Sequence, residues 1–258
     1  MKILFSFLIA LISISKLSAQ QLPEIISNAF GIGEELNYKV KYGFITCGSA
    51  VLKVTDTNKK FGNKSALQLT ANGRTAGSFD VFYKVRNRYD SYISQATLKP
   101  YLFTENIKEN NYRRNAYVNF DREKNSVNTN KGVYDVPQNT LDIISAFYFA
   151  RCIDFKDFRQ GKKFDLSYYM EDKVHSMTVE YIGKEKIKTD AGTFEALKFS
   201  PSLVEGRVFK EDSKMFLWVS NDLNRIPLRV QVEILVGSIV IELTDYKGLT
   251  NQSTALLK

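Results

Sequence analysis

Apolar and polar residues alternate along most of this chain. In Leu36-Asn37-Tyr38-Lys39-Val40-Lys41-Tyr42 every second residue is apolar, the pattern of a half-buried strand whose successive side chains point to opposite faces. Gly43 to Gly48 reads as a turn region, and Ala50-Val51-Leu52-Lys53-Val54-Thr55 as the returning strand. The pattern recurs over residues 66–71, 79–93, 100–107, 112–120 and 133–136. It resumes over 164–170, 174–182, 186–189, 194–200, 207–210, 214–220, 227–235 and 238–246. Turn signals divide these runs at Lys60-Phe61-Gly62-Asn63, Asn130-Lys131-Gly132, Asp190-Ala191-Gly192 and Val236-Gly237-Ser238. Short strands at this spacing predict a mainly β fold, a strongly curved antiparallel sheet or an open β-barrel or sandwich.

Two segments depart from the alternation. Residues 140–153 read as one buried helix: Asn139-Thr140 can cap it, Asp142 suits its first turn, and apolar residues cover most of its circumference. The chain opens with Met1-Lys2, a short apolar run from Ile3 to Ile12, and a small-residue exit at Ser18-Ala19. That order predicts a signal peptide over residues 1–19, with cleavage leaving Gln20 first. The run is too short for a membrane span, which needs about 20 apolar residues, and nothing later qualifies. Residues 20–258 then form a single β-rich domain, exported to the periplasm or beyond, where it can touch a membrane surface.

Composition changes this picture little. The formal charge of +8 is spread along the chain without a block of like charges, so a solvated lysine-rich surface is expected rather than a nucleic-acid site. Attraction to an anionic lipid or polysaccharide stays open. Export permits a disulfide between the two cysteines, Cys47 and Cys152, but a domain of this size does not require one, and two buried free thiols are the alternative.

Candidate chemistry is sparse. A catalytic triad, a Cys-His pair or a multi-His zinc site would all depend on the single histidine, His175, which lies in a strand pattern beside Met177 and Val179. No metal or cofactor motif is present: Gly31-Ile32-Gly33 lacks the third glycine and precedes a strand rather than a helix. The pairs Asp80 with Asp90, and Asp142 with Asp154, would support glycoside hydrolysis only if they faced each other about 5–9 Å apart in a cleft. Aromatic residues are abundant, 18 Phe and 14 Tyr against one Trp. Most belong in a β core, and the tyrosines also suit a partly wet recognition surface.

One stretch carries a family signature. Trp218-Val219-Ser220-Asn221-Asp222-Leu223-Asn224-Arg225-Ile226-Pro227 resembles the Trp-x-Ser-x-Asp-x-x-Arg-x-Pro pattern of an exported bacterial family catalogued as domain of unknown function 3108. Phe30-x-x-Gly33-Glu34-x-Leu36-x-Tyr38-x-Val40-x-Tyr42-Gly43, with Gly48 after it, is similar to that family's first hairpin. Asp142-x-x-Ser145-Ala146-Phe147-Tyr148-x-x-Arg151 resembles its helix. Ala191-Gly192-Thr193-Phe194 and Gly237-x-x-x-x-Glu242-Leu243 follow in order. The resemblance spans about residues 30–246 and implies a β-rich exported protein without an assigned activity.

The same residues have a mechanical reading. Asp222-Leu223-Asn224 suits a turn whose side chains bond their own backbone, and Pro227 can begin an edge strand. Arg225 or Arg151 can pair with Asp142 or Asp222 and pin helix to sheet. If a ligand is held there, Trp218, Arg225 and Arg151 are the residues suited to an acidic or sugar-like group. The leading expectation is a non-enzymatic envelope protein binding a lipid, a lipid-linked group or another envelope component in the curve of its sheet. The alternatives are a carboxylate-based glycan hydrolase, a structural or protein-interaction module, and an integral outer-membrane barrel, the last needing lipid-facing apolar bands.

Overall fold

The computed structural model describes residues 23–25, 29–202, 213–234 and 237–257; the signal peptide expected over 1–19 and the strand expected at 207–210 lie outside them. The first half of the chain forms β1 (Glu35–Tyr42), β2 (Ile45–Asp56), β3 (Ala66–Thr75), a single helical turn α1 (Phe79–Phe82), β4 (Arg86–Ser94), β5 (Pro100–Glu109), β6 (Tyr112–Asp121), β7 (Ser126–Thr129) and β8 (Gly132–Asp135). After these come β9 (Leu141–Asp142), helix α2 (Ile143–Arg151), β10 (Lys163–Met170), β11 (Lys173–Thr189) and β12 (Gly192–Pro201). The chain finishes with β13 (Met215–Ser220), β14 (Pro227–Glu233), β15 (Ser238–Lys247) and β16 (Leu256–Leu257).

These strands make one curved, unclosed sheet in the order β8-β7-β6-β5-β4-β3-β2-β1-β15-β14-β13-β12-β11-β10-β9, with β16 beside β12. Every pairing is antiparallel except β9 with β10. Because β1 pairs with both β2 and β15, the two halves of the chain wind away from it in opposite directions. They meet again around α2, which packs on β3 and β4 from one side and on β9 and β10 from the other.

Helix α2 starts where the sequence offers a complete cap. The Asp142 carboxylate accepts from the N–H groups of Ile144 (2.9 Å) and Ser145 (2.8 Å), and the Ser145 hydroxyl accepts from the Asp142 N–H (3.0 Å). This reciprocal box satisfies donors that a helix start otherwise leaves open. The cap is therefore Asp142, two residues after Thr140, because Leu141 and Asp142 are first used as the short strand β9. Nine residues are too few for a stable isolated helix. Packing holds this one: Ala146, Tyr148, Phe149 and Cys152 are buried against Leu69, Ile93 and Leu166, each large side chain contributing about 1.5–3 kcal/mol.

α2 and the apolar residues packed on it form the main core within the curve of the sheet. The outer face of β2–β5 carries Lys53, Asn72, Arg74, Arg88 and Asp90, which line a polar groove or form ion pairs. A lipid-facing apolar band is not built there.

Two further differences have local causes. The strand expected from residue 79 begins at Arg86, because Asp80 accepts from Thr75 Oγ1 (2.6 Å) and Arg86 Nη1 (3.0 Å) and folds residues 79–82 into α1. The strands expected at 174–182 and 186–189 are one strand, β11, kinked by a register shift between Tyr181 and Gly183. Its far half folds back over β14 and β15, with Arg229 Nη2 donating to the Lys188 carbonyl (2.9 Å) and Lys39 paired to Asp190 (2.6 Å). Leu36, Ile187, Phe194, Trp218, Leu228 and Leu243 form a second core there.

The expected turn after β1 shortens to Gly43-Phe44, and Gly48 lies inside β2, where β3 passes very close. A Cβ built on Gly48 would stand 2.3 Å from the Arg74 carbonyl oxygen. Gly48→Ala should therefore cost about 1–3 kcal/mol by forcing β2 and β3 apart, read as a lowered urea midpoint.

Candidate functional site

The β13–β14 connection is built around one carboxylate. Asp222 Oδ1 accepts from Ser220 Oγ (2.7 Å), the Asn224 N–H (3.0 Å) and the Arg225 N–H (3.2 Å), while Oδ2 accepts from the Ala255 N–H (3.3 Å). Ser220 Oγ in turn accepts from the Ile226 N–H (2.9 Å). Asn224 donates to the Asn251 carbonyl (3.0 Å) and accepts from the Asn251 N–H (2.8 Å), clipping the C-terminal segment to the turn. Arg225 completes the reversal at φ +45°, a left-handed conformation tolerated because its neighbours are fixed on both sides. The Ser, Asp and Arg of the signature thus have a shared mechanical task. Pro227 opens β14, which lies between β13 and β15 and is not an edge; its carbonyl accepts from the Tyr38 hydroxyl (3.1 Å).

Arg151 sits at the last turn of α2 and is 2 % exposed. It pairs with neither Asp142 nor Asp222. Its Nη1 and Nη2 donate to the two oxygens of Glu34 at 2.7 Å each, a bidentate pair between fully desolvated groups. The remaining donors reach the carbonyls of Asn224 (2.9 Å) and Ala29 (3.2 Å), and the rings of Tyr148 and Phe30 stand 5.1 and 5.4 Å away. Burial alone would lower the Arg151 pKa, but the Glu34 carboxylate outweighs it and the group is held protonated more firmly than a free arginine. Arg151 joins helix to β1 through Glu34, and Asp142 joins helix to β4 by accepting from Ser91 Oγ (2.6 Å). Burial pushes the Asp142 carboxyl up, against the hydrogen bonds it accepts.

Trp218 lies away from both arginines, in the second core. Its Nε1 donates to the Glu185 carboxylate, and Lys198 Nζ stands 4.7 Å from the Trp218 ring centroid. Nearby Glu242 is 4 % exposed and gathers Lys39 (3.0 Å), Lys41 (3.4 Å) and Arg229 (2.9 Å). The structure therefore does not bring Trp218, Arg151 and Arg225 to one surface.

Arg225 alone of the three opens on a groove. Its Nη1 donates to the carbonyls of Arg151 (2.9 Å) and Ile153, and its guanidinium lies over the Phe155 ring at 4.8 Å. Among the described residues no carboxylate forms a salt bridge with it, and its remaining N–H groups have no protein acceptor. Burial lowers its pKa, partly opposed by Cys152, Asp154 and Asp222. The groove, about 560 Å³, is lined by Phe155, Phe158, Tyr181 and Leu197, by the cations Lys156, Arg159 and Lys184, and by Asp222, whose carboxylate is already engaged in the turn. Sequence reasoning passed over these residues, although Phe155-Lys156-Asp157-Phe158-Arg159 alternates rings and cations directly after the helix.

The other candidate groups have local partners. His175 Nε2 contacts the Met170 carbonyl (3.1 Å) and the ring stacks on Tyr168. Cys47 and Cys152 are both buried and free, so no disulfide joins them. Cys47 donates to the Val40 carbonyl (3.4 Å), Cys152 caps the end of α2, and burial raises both thiols. Asp80 is paired with Arg86 and Asp90 with Arg88. Among the described residues no group of His, Cys, Asp and Glu could hold a metal ion, and no helix is long and apolar enough to cross a membrane.

Of known structures, the chain is similar to a β-barrel-like protein of domain of unknown function DUF1849 from Brucella abortus, at 10 % identity and a TM-score of 0.58, over 84 % of this chain and 98 % of that one. A hypothetical protein from Chlamydia trachomatis matches at 8 % identity and a TM-score of 0.36, over 86 % and 91 % of the two chains. The first likeness shows a shared barrel-like fold. None of the curated proteins matches the chain. The β13–β14 turn, the capped helix and most of the first hairpin fall within residues 37–244, which match the family described as protein of unknown function DUF3108, and the chain belongs to that family.

Proposed function

We propose that this is a non-enzymatic binding protein of the cell envelope, and that its groove at Phe155, Phe158, Tyr181 and Arg225 holds an anionic group carrying an apolar or sugar portion, as in a lipid-linked compound. The observation that carries this reading is Arg225: a residue 7 % exposed, without a salt bridge among the described residues, its guanidinium over a ring and lining a groove. An unpaired buried charge is costly, and an anion entering the groove would offset that cost while the rings cover its apolar part. Lys156, Arg159 and Lys184, which form no salt bridge among the described residues, add attraction at the rim. The envelope location rests on the signal pattern of residues 1–19. Glycan hydrolysis is less well supported, because Asp80, Asp90 and Asp142 are each engaged by arginine or cap a helix rather than facing a second acid.

Native mass spectrometry of the protein purified gently from its own envelope tests this. A bound anionic compound should be present at stoichiometric level. Because a hydrogen bond to a charged group contributes about 1.5–3 kcal/mol, Arg225→Gln should weaken its retention about ten- to a hundredfold. The triple change Lys156→Gln, Arg159→Gln, Lys184→Gln, which leaves the turn intact, should weaken it as well. A bare wild-type protein would shift the reading to a structural or protein-interaction module.

A further inference from the structure

A second surface, independent of the groove, has a different composition. Successive hairpins bring their turns to one rim of the sheet. The β1–β2 turn exposes Tyr42, Phe44 and Ile45, with Phe44 94 % exposed. The β3–β4 connection exposes Val81 (84 %), Phe82 (79 %) and Tyr83, and the β5–β6 turn exposes Tyr112. Hydrogen bonds hold these tips together. The Ala76 N–H donates to the Cys47 carbonyl (3.1 Å), Asn110 exchanges backbone and side-chain bonds with Lys84 (2.8 Å each), and the Tyr83 hydroxyl donates to Glu109 (3.1 Å). Neighbouring strands lie about 4.8 Å apart, so these tips stand in a row at intervals of about 10 Å.

Large apolar side chains placed on three adjacent turns are not the scattered exposure of an ordinary surface. Cations flank them: Lys84, Lys108 and Arg113 are exposed and form no salt bridge among the described residues. Of the acids at this rim, Asp80 is neutralised by Arg86, and Glu109 is held by Tyr83 and Asn87. Protruding rings and aliphatic tips backed by unpaired cations match the depth profile of a bilayer interface, where rings enter the acyl boundary and Lys or Arg remain at the headgroups. A protein partner would more naturally meet a groove or a flat patch. We propose that this rim docks the protein onto the surface of an anionic lipid bilayer, inserting Phe44, Val81 and Phe82.

Vesicles of equal parts phosphatidylglycerol and phosphatidylcholine provide the test, with pure phosphatidylcholine as reference. In a Phe44→Trp or Phe82→Trp chain the new indole should shift its emission to the blue on adding anionic vesicles, a readout confined to the rim. Full-chain binding by co-sedimentation should fall at least about tenfold in the Phe44→Ser, Val81→Ser, Phe82→Ser variant. Lys84→Gln with Arg113→Gln should weaken binding and flatten its salt dependence. All these positions are exposed, so the fold is kept. The proposal is overturned if the indoles do not respond to anionic vesicles, if the triple variant binds as the wild type does, or if the blue shift follows protein concentration instead of lipid, which would mark the rim as a contact between two copies.

Discussion

Arg151→Met should destabilise the protein by about 3–5 kcal/mol, the typical cost of removing one partner of a buried ion pair. The methionine can fill much of the arginine's volume, but Glu34 would be left 1 % exposed with its bidentate donor gone. The carbonyls of Asn224 and Ala29 would lose the same donor. Glu34→Gln/Arg151→Met removes both charges, and should be less destabilised than the sum of the single changes, since no bare charge remains. Urea unfolding of the four proteins gives the coupling directly. A cost below about 1 kcal/mol for Arg151→Met would mean that the pair is solvated, and that helix and β1 are not pinned there.

Tyr148→Ala should cost a similar amount, about 3–5 kcal/mol, for a different reason. Its ring is fully buried at the middle of α2, meets Phe30 edge to face at a centroid distance of 4.7 Å, and lies 5.1 Å from the Arg151 guanidinium. Truncation leaves a cavity between helix and sheet and removes a cation–π contact. The hydroxyl has no protein partner among the described residues, so Tyr148→Phe should lie within about 1 kcal/mol of the wild type. Thermal unfolding of the two variants separates the ring's contribution from the hydroxyl's.

Strands were legible in this sequence wherever one face is buried and the other wet, because alternation then reports the fold directly: β1, β10 and β12 lie close to where the pattern puts them. The pattern misled where side-chain chemistry took over from periodicity. Phe79-Asp80-Val81-Phe82 alternates well enough for a strand, yet Asp80 bonds Thr75 and Arg86 and turns the chain there. Leu141-Asp142 reads as helix, but it is drawn into a parallel ladder with Tyr168-Tyr169 that no local signal announces.

The candidate site shows the same division. The turn at Asp222 is local and was readable from its residue types. The partner of Arg151 was not, because Glu34 lies 117 positions away and its place in the hairpin signature does not point to a buried ion pair. The groove brings a post-helix segment beside β11 and the β13–β14 turn, a meeting fixed by the winding of the sheet and invisible to spacing along the chain. Trp218 and Arg225 share one motif, yet Trp218 packs in the second core while Arg225 lines the groove, a separation that spacing along the chain does not report.

The most direct test of the groove is a titration with hexyl phosphate, which joins a phosphate to a short apolar chain, followed by amide chemical shifts. The account predicts saturable shifts at Phe155, Phe158, Arg159, Tyr181, Lys184 and Asn221 to Arg225, and their loss in Arg225→Gln. Shifts that never saturate and spread over surface lysines, or that centre on Trp218 and Glu242, would contradict it.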